Sequence, residues 1–118
     1  MTGFTLVTNK EHEEMVLRAL MDARALIAKR RNWAKGSMWG SGGEKFCAIA
    51  AVSAASGRIQ VRDSAEQLLA EAIDPDLAGN KLRGYWSILD YNDKWYRRHK
   101  TVLKKFDEAI RLAGRNLK

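Results

Sequence analysis

The feature that most constrains the fold of this chain is a run of small residues, from Cys47 to Ala55, that is apolar on nearly every side. A helix that is apolar all round is stable in water only when other elements surround it. Its small side chains also allow neighbouring helices to approach closely. The sequence therefore predicts a buried central helix that ends at Gly57, with amphipathic segments packed around it.

An amphipathic helix precedes this run. Thr8 and Glu11 have the spacing of a capping box, in which each side chain satisfies a backbone N–H group at the start of a helix. Apolar residues then recur every three or four positions and form one stripe, which consists of Val16, Ala19, Leu20, Ala23, Leu26 and Ile27. We expect this helix to end near residues 29–31, where cations oppose the negative end of the helix macrodipole.

Two further amphipathic helices are expected after the central one. The first should begin at a cap formed by Asp63 or Ser64 and stop before Pro75, because the residue that precedes a proline avoids the α conformation. The last should stop at Gly114, and its apolar stripe consists of Val102, Leu103, Phe106, Ala109, Ile110 and Ala113. Each helix thus has one face to bury against the others.

These four segments predict the fold class. The chain should be mainly α, with about four helices in a compact bundle and a single domain over residues 1–118. Two short stretches leave a β alternative open. Residues 38–46 include a glycine-rich turn that a β-hairpin could use, and residues 59–61 alternate in the manner of a short strand.

The charge is distributed unevenly. The net charge is +7, and residues 94–118 carry nine basic and two acidic side chains. Such a concentration of cations attracts anionic partners, although a solvated helix face would carry the same residues. The single cysteine cannot form an intramolecular disulfide, which suits a reducing compartment. Because no segment has the pattern of a signal peptide or a membrane span, we expect a cytoplasmic protein without a membrane partner, located in the host cytoplasm if a phage encodes it.

Residues that could support catalysis are few. Cys47, His12 and His99 do not have the spacing of a metal site, and the glycines at 40–43 do not lead into the Gly-Lys-Ser/Thr of a phosphate-binding loop. Burial at the start of an apolar helix would raise the pKa of the Cys47 thiol and make it inert, whereas the helix N-terminus acts in the opposite direction. We expect no enzymatic activity, no metal and no cofactor.

The strongest functional signal lies in residues 85–100, where five aromatic residues lead into a run of cations. Aromatic rings stack on bases and Arg or Lys contact phosphates, so this pattern is typical of a nucleic-acid surface. In the alternative interpretation Trp86, Ile88 and Leu89 enter the core, residues 92–93 form a turn or cap, and the basic run is solvated. The candidate binding residues are Lys94, Trp95, Arg97, Arg98, Lys100, Lys104 and Lys105.

Several short motifs follow one another in a characteristic order. They are Trp33 with Gly36, Phe46-Cys47-Ala48, Tyr91-Asn92-Asp93 and Phe106-Asp107-Glu108-Ala109-Ile110. They resemble those of a family of small uncharacterised bacterial and phage proteins, which share a Trp and Gly loop, a Cys-Ala helix start, a Trp-Asn-Asp turn and a closing Leu-Asp-x-Ala-Ile helix. Here Tyr91 replaces the Trp of that turn, and Phe106 stands where Leu is usual. The resemblance implies a fold and a bacterial or phage setting, and it groups four residues as one structural or ligand-binding cluster: Trp33, Cys47, Asn92 and Asp93.

Three functions are consistent with these observations. The leading hypothesis is a non-enzymatic binding or accessory protein that acts on a protein or a nucleic acid through its basic and aromatic C-terminal surface. A phage-type modulator or inhibitor of a host nucleic-acid-processing complex is one such protein. The second hypothesis is a homo-oligomeric interaction module anchored by exposed tryptophans such as Trp39, Trp86 or Trp95. The third is a small ligand-binding or enzymatic domain that uses the cysteine at 47 and residues 92–93.

Overall fold

The computed structural model describes residues 9–34, 45–77, 81–94 and 97–117. Within these ranges the protein is a bundle of five α-helices without a β-strand. The helices are α1 (Asn9–Leu26), α2 (Ala48–Ser56), α3 (Ile59–Ile73), α4 (Lys81–Asp93) and α5 (His99–Arg115), and two short 3₁₀ helices cover Arg30–Asn32 and Pro75–Leu77. The expectation of a mainly helical bundle is confirmed, with one helix more than the four that the sequence predicted.

Helix α2 is the central helix that its composition predicted. All residues from Ala48 to Val52 are buried, and α1, α3 and α4 pack against it. The helix ends at Gly57, whose φ of 71° lies in the region that suits glycine. The chain turns sharply at this glycine and enters α3 two residues later.

Helix α1 buries the predicted stripe, including Val16, Leu20 and Ala23. It ends at Leu26, earlier than expected, so the cations at 29–31 lie beyond the helix. The Thr8 of the predicted capping box lies outside the described residues.

Helix α3 begins at Ile59, so the cap predicted at residues 63–64 and the strand considered for residues 59–61 are both wrong. Val61 is buried, whereas Ile59 is 58% exposed. Side chains two residues apart share one face of a strand but point to different sides of a helix. The helix buries Val61 together with Ala65, one turn later, and leaves Ile59 at the surface.

The connection from α3 to α4 follows from Pro75. Helix α3 ends at Ile73, as the proline predicted. The Asp74 carboxylate then accepts a hydrogen bond from the backbone N–H of Asp76 at 3.0 Å, and the chain forms a short 3₁₀ turn.

Helix α4 corrects two expectations. Residues 92–93 do not form a separate turn, because they are the last two positions of this helix. Trp86 is not a core residue, since it is 61% exposed, whereas Ile88 is fully buried and Leu89 packs partly against the core. The inward face of α4 also carries a buried polar residue, Asn92. This residue interrupts the apolar stripe by which a helix is recognised in sequence.

Helices α1 and α5 run antiparallel. Arg24 pairs with Asp107 at 2.6 Å, and the His99 Nε2 lies 2.5 Å from the Ile27 carbonyl oxygen. Because His99 is the first residue of α5 and Ile27 directly follows α1, the carboxyl end of α1 meets the amino end of α5. The start of α2 and the end of α4 are joined to this same end by the side chain of Asn92.

Candidate functional site

The Asn92 side chain is fully buried and joins three segments of the chain. Its Oδ1 accepts hydrogen bonds from the Trp33 indole N–H at 2.6 Å and from the backbone N–H of Ala48 at 3.1 Å. Its Nδ2 donates to the Ala34 carbonyl and to Asp93 Oδ1, both at 2.9 Å. An asparagine side chain can donate two hydrogen bonds and accept about two, and groups of the protein itself supply all four partners. Asn92 therefore has a structural role and no hydrogen-bonding capacity left for a ligand.

A backbone connection joins two of the same segments. The Phe46 N–H donates to the Asn32 carbonyl at 2.8 Å, and the Ala34 N–H donates to the Phe46 carbonyl at 3.0 Å. The pairing is a single β-bridge. The hairpin considered for residues 38–46 lies mostly outside the described residues, which include only its last two positions.

Cys47 directly precedes α2 and is 1% exposed. Its Sγ accepts a hydrogen bond from the backbone N–H of Ala50 at 3.5 Å, so this side chain caps the helix. Burial raises the pKa of the Cys47 thiol above its ordinary value; the backbone N–H groups of Ala50 and Ile49 lower it, and the Asp93 carboxylate raises it. Burial outweighs the helix N-terminus, so the thiol is protonated at neutral pH.

The four residues that the resemblance grouped therefore lie together. Asn92 bonds directly to Trp33 and Asp93, and it bonds to the backbone of the residue that follows Cys47. Among the residues that the structure describes, no three His, Cys, Asp or Glu side chains are placed to hold a metal ion. What this cluster offers is packing and internal hydrogen bonding, which fix the ends of several elements against one another.

Three of the predicted binding residues are half-buried and engaged within the protein. The Arg97 guanidinium lies 3.5 Å from the centroid of the Tyr91 ring, and its Nε donates to the Tyr91 carbonyl at 2.8 Å. Lys105 donates to the Ala72 carbonyl near the end of α3 at 3.2 Å. Lys94 pairs at 3.3 Å with an aspartate one turn earlier in α4. These three cations contribute to the fold.

The next three predicted residues, Arg98, Lys100 and Lys104, are exposed. None of them has an ion-pair partner among the described residues. Trp95, the aromatic member of the predicted set, lies outside the described residues. The available cations of the predicted set therefore lie at the start of α5, with Arg98 directly before its first residue.

A second group of cations, which lies outside the predicted C-terminal set, is at the same end of the bundle. Residues 29–31 are exposed and directly follow the end of α1. His99 approaches the Ile27 carbonyl, and its ring centroid lies 5.7 Å from that of Trp33. These contacts hold the two cationic segments next to each other. We call the six residues the basic end: Lys29, Arg30, Arg31, Arg98, Lys100 and Lys104.

The fold and this site define a small helical protein in which a buried asparagine network supports an end rich in exposed cations. No described helix is long and apolar enough to cross a membrane. The chain belongs to the Family of unknown function (DUF6197), which matches residues 12–112. The expectation of an uncharacterised family is thus confirmed. No curated protein and no solved structure matches the chain.

Proposed function

We propose that this protein is a non-enzymatic accessory protein that binds nucleic acid through the basic end. The proposal is carried by the convergence of six exposed cations from two segments that lie far apart in the sequence. None of the six has an ion-pair partner among the described residues. Unpaired cations in one place repel one another, and a polyanion removes that repulsion while it releases the counterions of its phosphates.

Helix stability explains only half of this charge. The cations at 29–31 lie three to five residues beyond the carboxyl end of α1, where the attraction to the helix macrodipole is favourable but falls off within about one turn. Arg98, Lys100 and Lys104 lie at the amino end of α5, where the macrodipole is positive and the first turn has no acidic residue. Cations at this position work against the helix. Their placement is therefore better explained by an anionic partner than by stability.

The proposed role is that of a modulator or inhibitor of a nucleic-acid-processing complex, of the phage type, acting in the cytoplasm. It requires a surface and no chemistry, which agrees with an Asn92 whose hydrogen bonds are all internal. A reducing compartment suits the single buried cysteine.

The salt dependence of binding tests this proposal. Fluorescence anisotropy with a labelled oligonucleotide would be measured between about 50 mM and 200 mM salt, where six phosphate contacts predict a loss of affinity of about a thousandfold. The double variant Arg30→Gln/Arg31→Gln removes two of the six cations and should flatten the salt slope by between about one and two.

The matched control is Arg58→Gln/Arg115→Gln, which removes the same charge from exposed positions remote from the basic end. Arg58 precedes α3 and Arg115 ends α5, so neither lies beside the α1–α5 contact. This variant should keep the wild-type slope. Binding that is absent at low salt, or that falls equally in both double variants, contradicts the proposal.

A second candidate function is favoured by Trp86. An exposed tryptophan is a common anchor of protein interfaces, and this side chain is 61% exposed on α4. In this candidate the protein associates with itself or with another protein through α4. Sedimentation at several concentrations would show an oligomer that Trp86→Ala dissociates, whereas a monomer at every concentration counts against self-association.

A further inference from the structure

Two aromatic rings lie within the basic end. The Trp33 and His99 ring centroids are 5.7 Å apart with an angle of 38° between the planes, and both residues are half-buried, which leaves part of each exposed. Each ring belongs to one of the cationic segments. Trp33 follows the cations at 29–31, and His99 lies between Arg98 and Lys100. The fold therefore places rings and cations from two segments in one surface.

We infer that the nucleic acid bound at the basic end is single-stranded and that one of its bases stacks on the Trp33–His99 pair. This inference rests on the proposed function and specifies its substrate class. A base in a duplex is already stacked on both faces, whereas an unpaired base offers its face to an aromatic side chain. Cations beside the rings contact the phosphates on either side of that base.

A direct comparison of nucleic-acid forms tests the inference on the unmodified protein. Anisotropy would be measured with a labelled oligothymidine and with a duplex of the same length at one salt concentration. We expect the single strand to bind at least about tenfold more tightly, and to lose affinity with salt at about 0.7 rather than 0.9 per phosphate contact. Anionic lipid vesicles serve as the charge control and should not compete at matched charge concentration.

Two substitutions of His99 separate stacking from positioning. His99→Phe keeps a ring and loses the N–H that can bond to the Ile27 carbonyl, whereas His99→Gln keeps a donor and loses the ring. Stacking predicts that the Phe variant binds the oligothymidine almost as well as the wild type and that the Gln variant binds about fivefold or more weakly. A merely structural role predicts the reverse order. Circular dichroism establishes that each variant is folded, and Trp86→Phe is the aromatic control at an exposed position of α4.

The outcomes are distinct. If neither nucleic acid binds at low salt, the proposed function itself is wrong. If the duplex binds as tightly as the single strand, or if His99→Gln retains full affinity, the protein binds nucleic acid and only the inference of a stacked base is wrong. If vesicles compete as well as the oligothymidine, the basic end recognises anionic surfaces in general and the single-strand assignment is overturned.

Discussion

Removal of the Asn92 side chain should be among the most destabilising single changes that a polar residue of this protein can undergo. Asn92→Ala deletes four hydrogen bonds at a fully buried position. A hydrogen bond contributes about 1 kcal/mol net, and a buried donor left without an acceptor costs about 1–3 kcal/mol. The Trp33 indole N–H and the buried backbone N–H of Ala48 both lose their acceptor. The free energy of unfolding should therefore fall by about 4 kcal/mol, out of the roughly 5–15 kcal/mol that holds such a domain together.

Urea denaturation followed by circular dichroism measures this change, with an unchanged m-value as the sign that the denatured state is unaffected. Asn116→Ala is the matched control, because Asn116 is exposed at the end of α5 and should matter by less than about 0.5 kcal/mol. In a Trp33→Phe background Asn92→Ala should be less costly by about 1 kcal/mol, since one of its four bonds is already missing. A loss below about 1 kcal/mol for Asn92→Ala alone would refute the assignment of Asn92 as the structural centre of this end.

The remaining predictions concern four other positions. Gly57→Ala should destabilise the protein by about 1–2 kcal/mol, because the φ of 71° at Gly57 is unfavourable for alanine. Gly114 lies inside α5 with open space around it, so Gly114→Ala should stabilise the protein by about 0.5–1 kcal/mol. The same urea assay measures both changes. Burial raises the pKa of Glu66, so the folded state holds this proton more tightly than the unfolded state and stability falls as the pH rises through the titration of this group. Glu66→Gln should therefore be more stable than the wild type at neutral pH and lose that advantage in acid. The Cys47 thiol, whose pKa burial raises, should react with a disulfide reagent only at the rate of unfolding, and rapidly in urea.

Each of these has a clear contrary result. Equal effects of the two glycine substitutions would show that the backbone conformation at Gly57 carries no cost. A Glu66→Gln variant whose advantage grows in acid would reverse the sign of the pKa shift. Fast modification of Cys47 in the native protein would mean that the thiol is accessible and ionised, contrary to its 1% exposure.

The helices whose signal is local could be predicted, and those that depend on distant residues could not. Helix α2 follows from its small apolar residues, and the stripe of α5 follows from spacing within one segment. Helix α4 escaped prediction because its inward face includes Asn92, a polar residue with three hydrogen-bond partners that lie 44 to 59 residues away. Nothing in the neighbourhood of Asn92 along the sequence indicates that those partners exist. The resemblance came closer, because it grouped Trp33, Cys47, Asn92 and Asp93 before their contacts were known.

The basic end illustrates the same limit for function. The sequence indicated the cations from residue 94 onward, but it could not separate the half-buried Arg97 and Lys105 from the exposed Arg98. That difference depends on contacts with other helices, since Arg97 lies over a ring of α4 and Lys105 donates to a carbonyl of α3. The cations at 29–31 join the surface only through the contact of His99 with Ile27, which spans 72 residues. A local charge count therefore indicates a cationic segment, but it shows neither which of its side chains are exposed nor which distant cations lie beside them.

The hydrogen-bond network of Asn92 and the basic end share one residue, Trp33. Trp33 donates to the buried Asn92 and places its ring beside His99, so the structural network and the proposed binding surface share a side chain. This arrangement means that loss of affinity alone would not identify a binding residue here, since damage to the network reaches the surface through Trp33. Stability and affinity must be measured on the same variants. Changes at Arg30 or Lys100 should lower affinity and leave stability nearly intact, whereas changes at Asn92 should lower stability first and affinity only as a consequence.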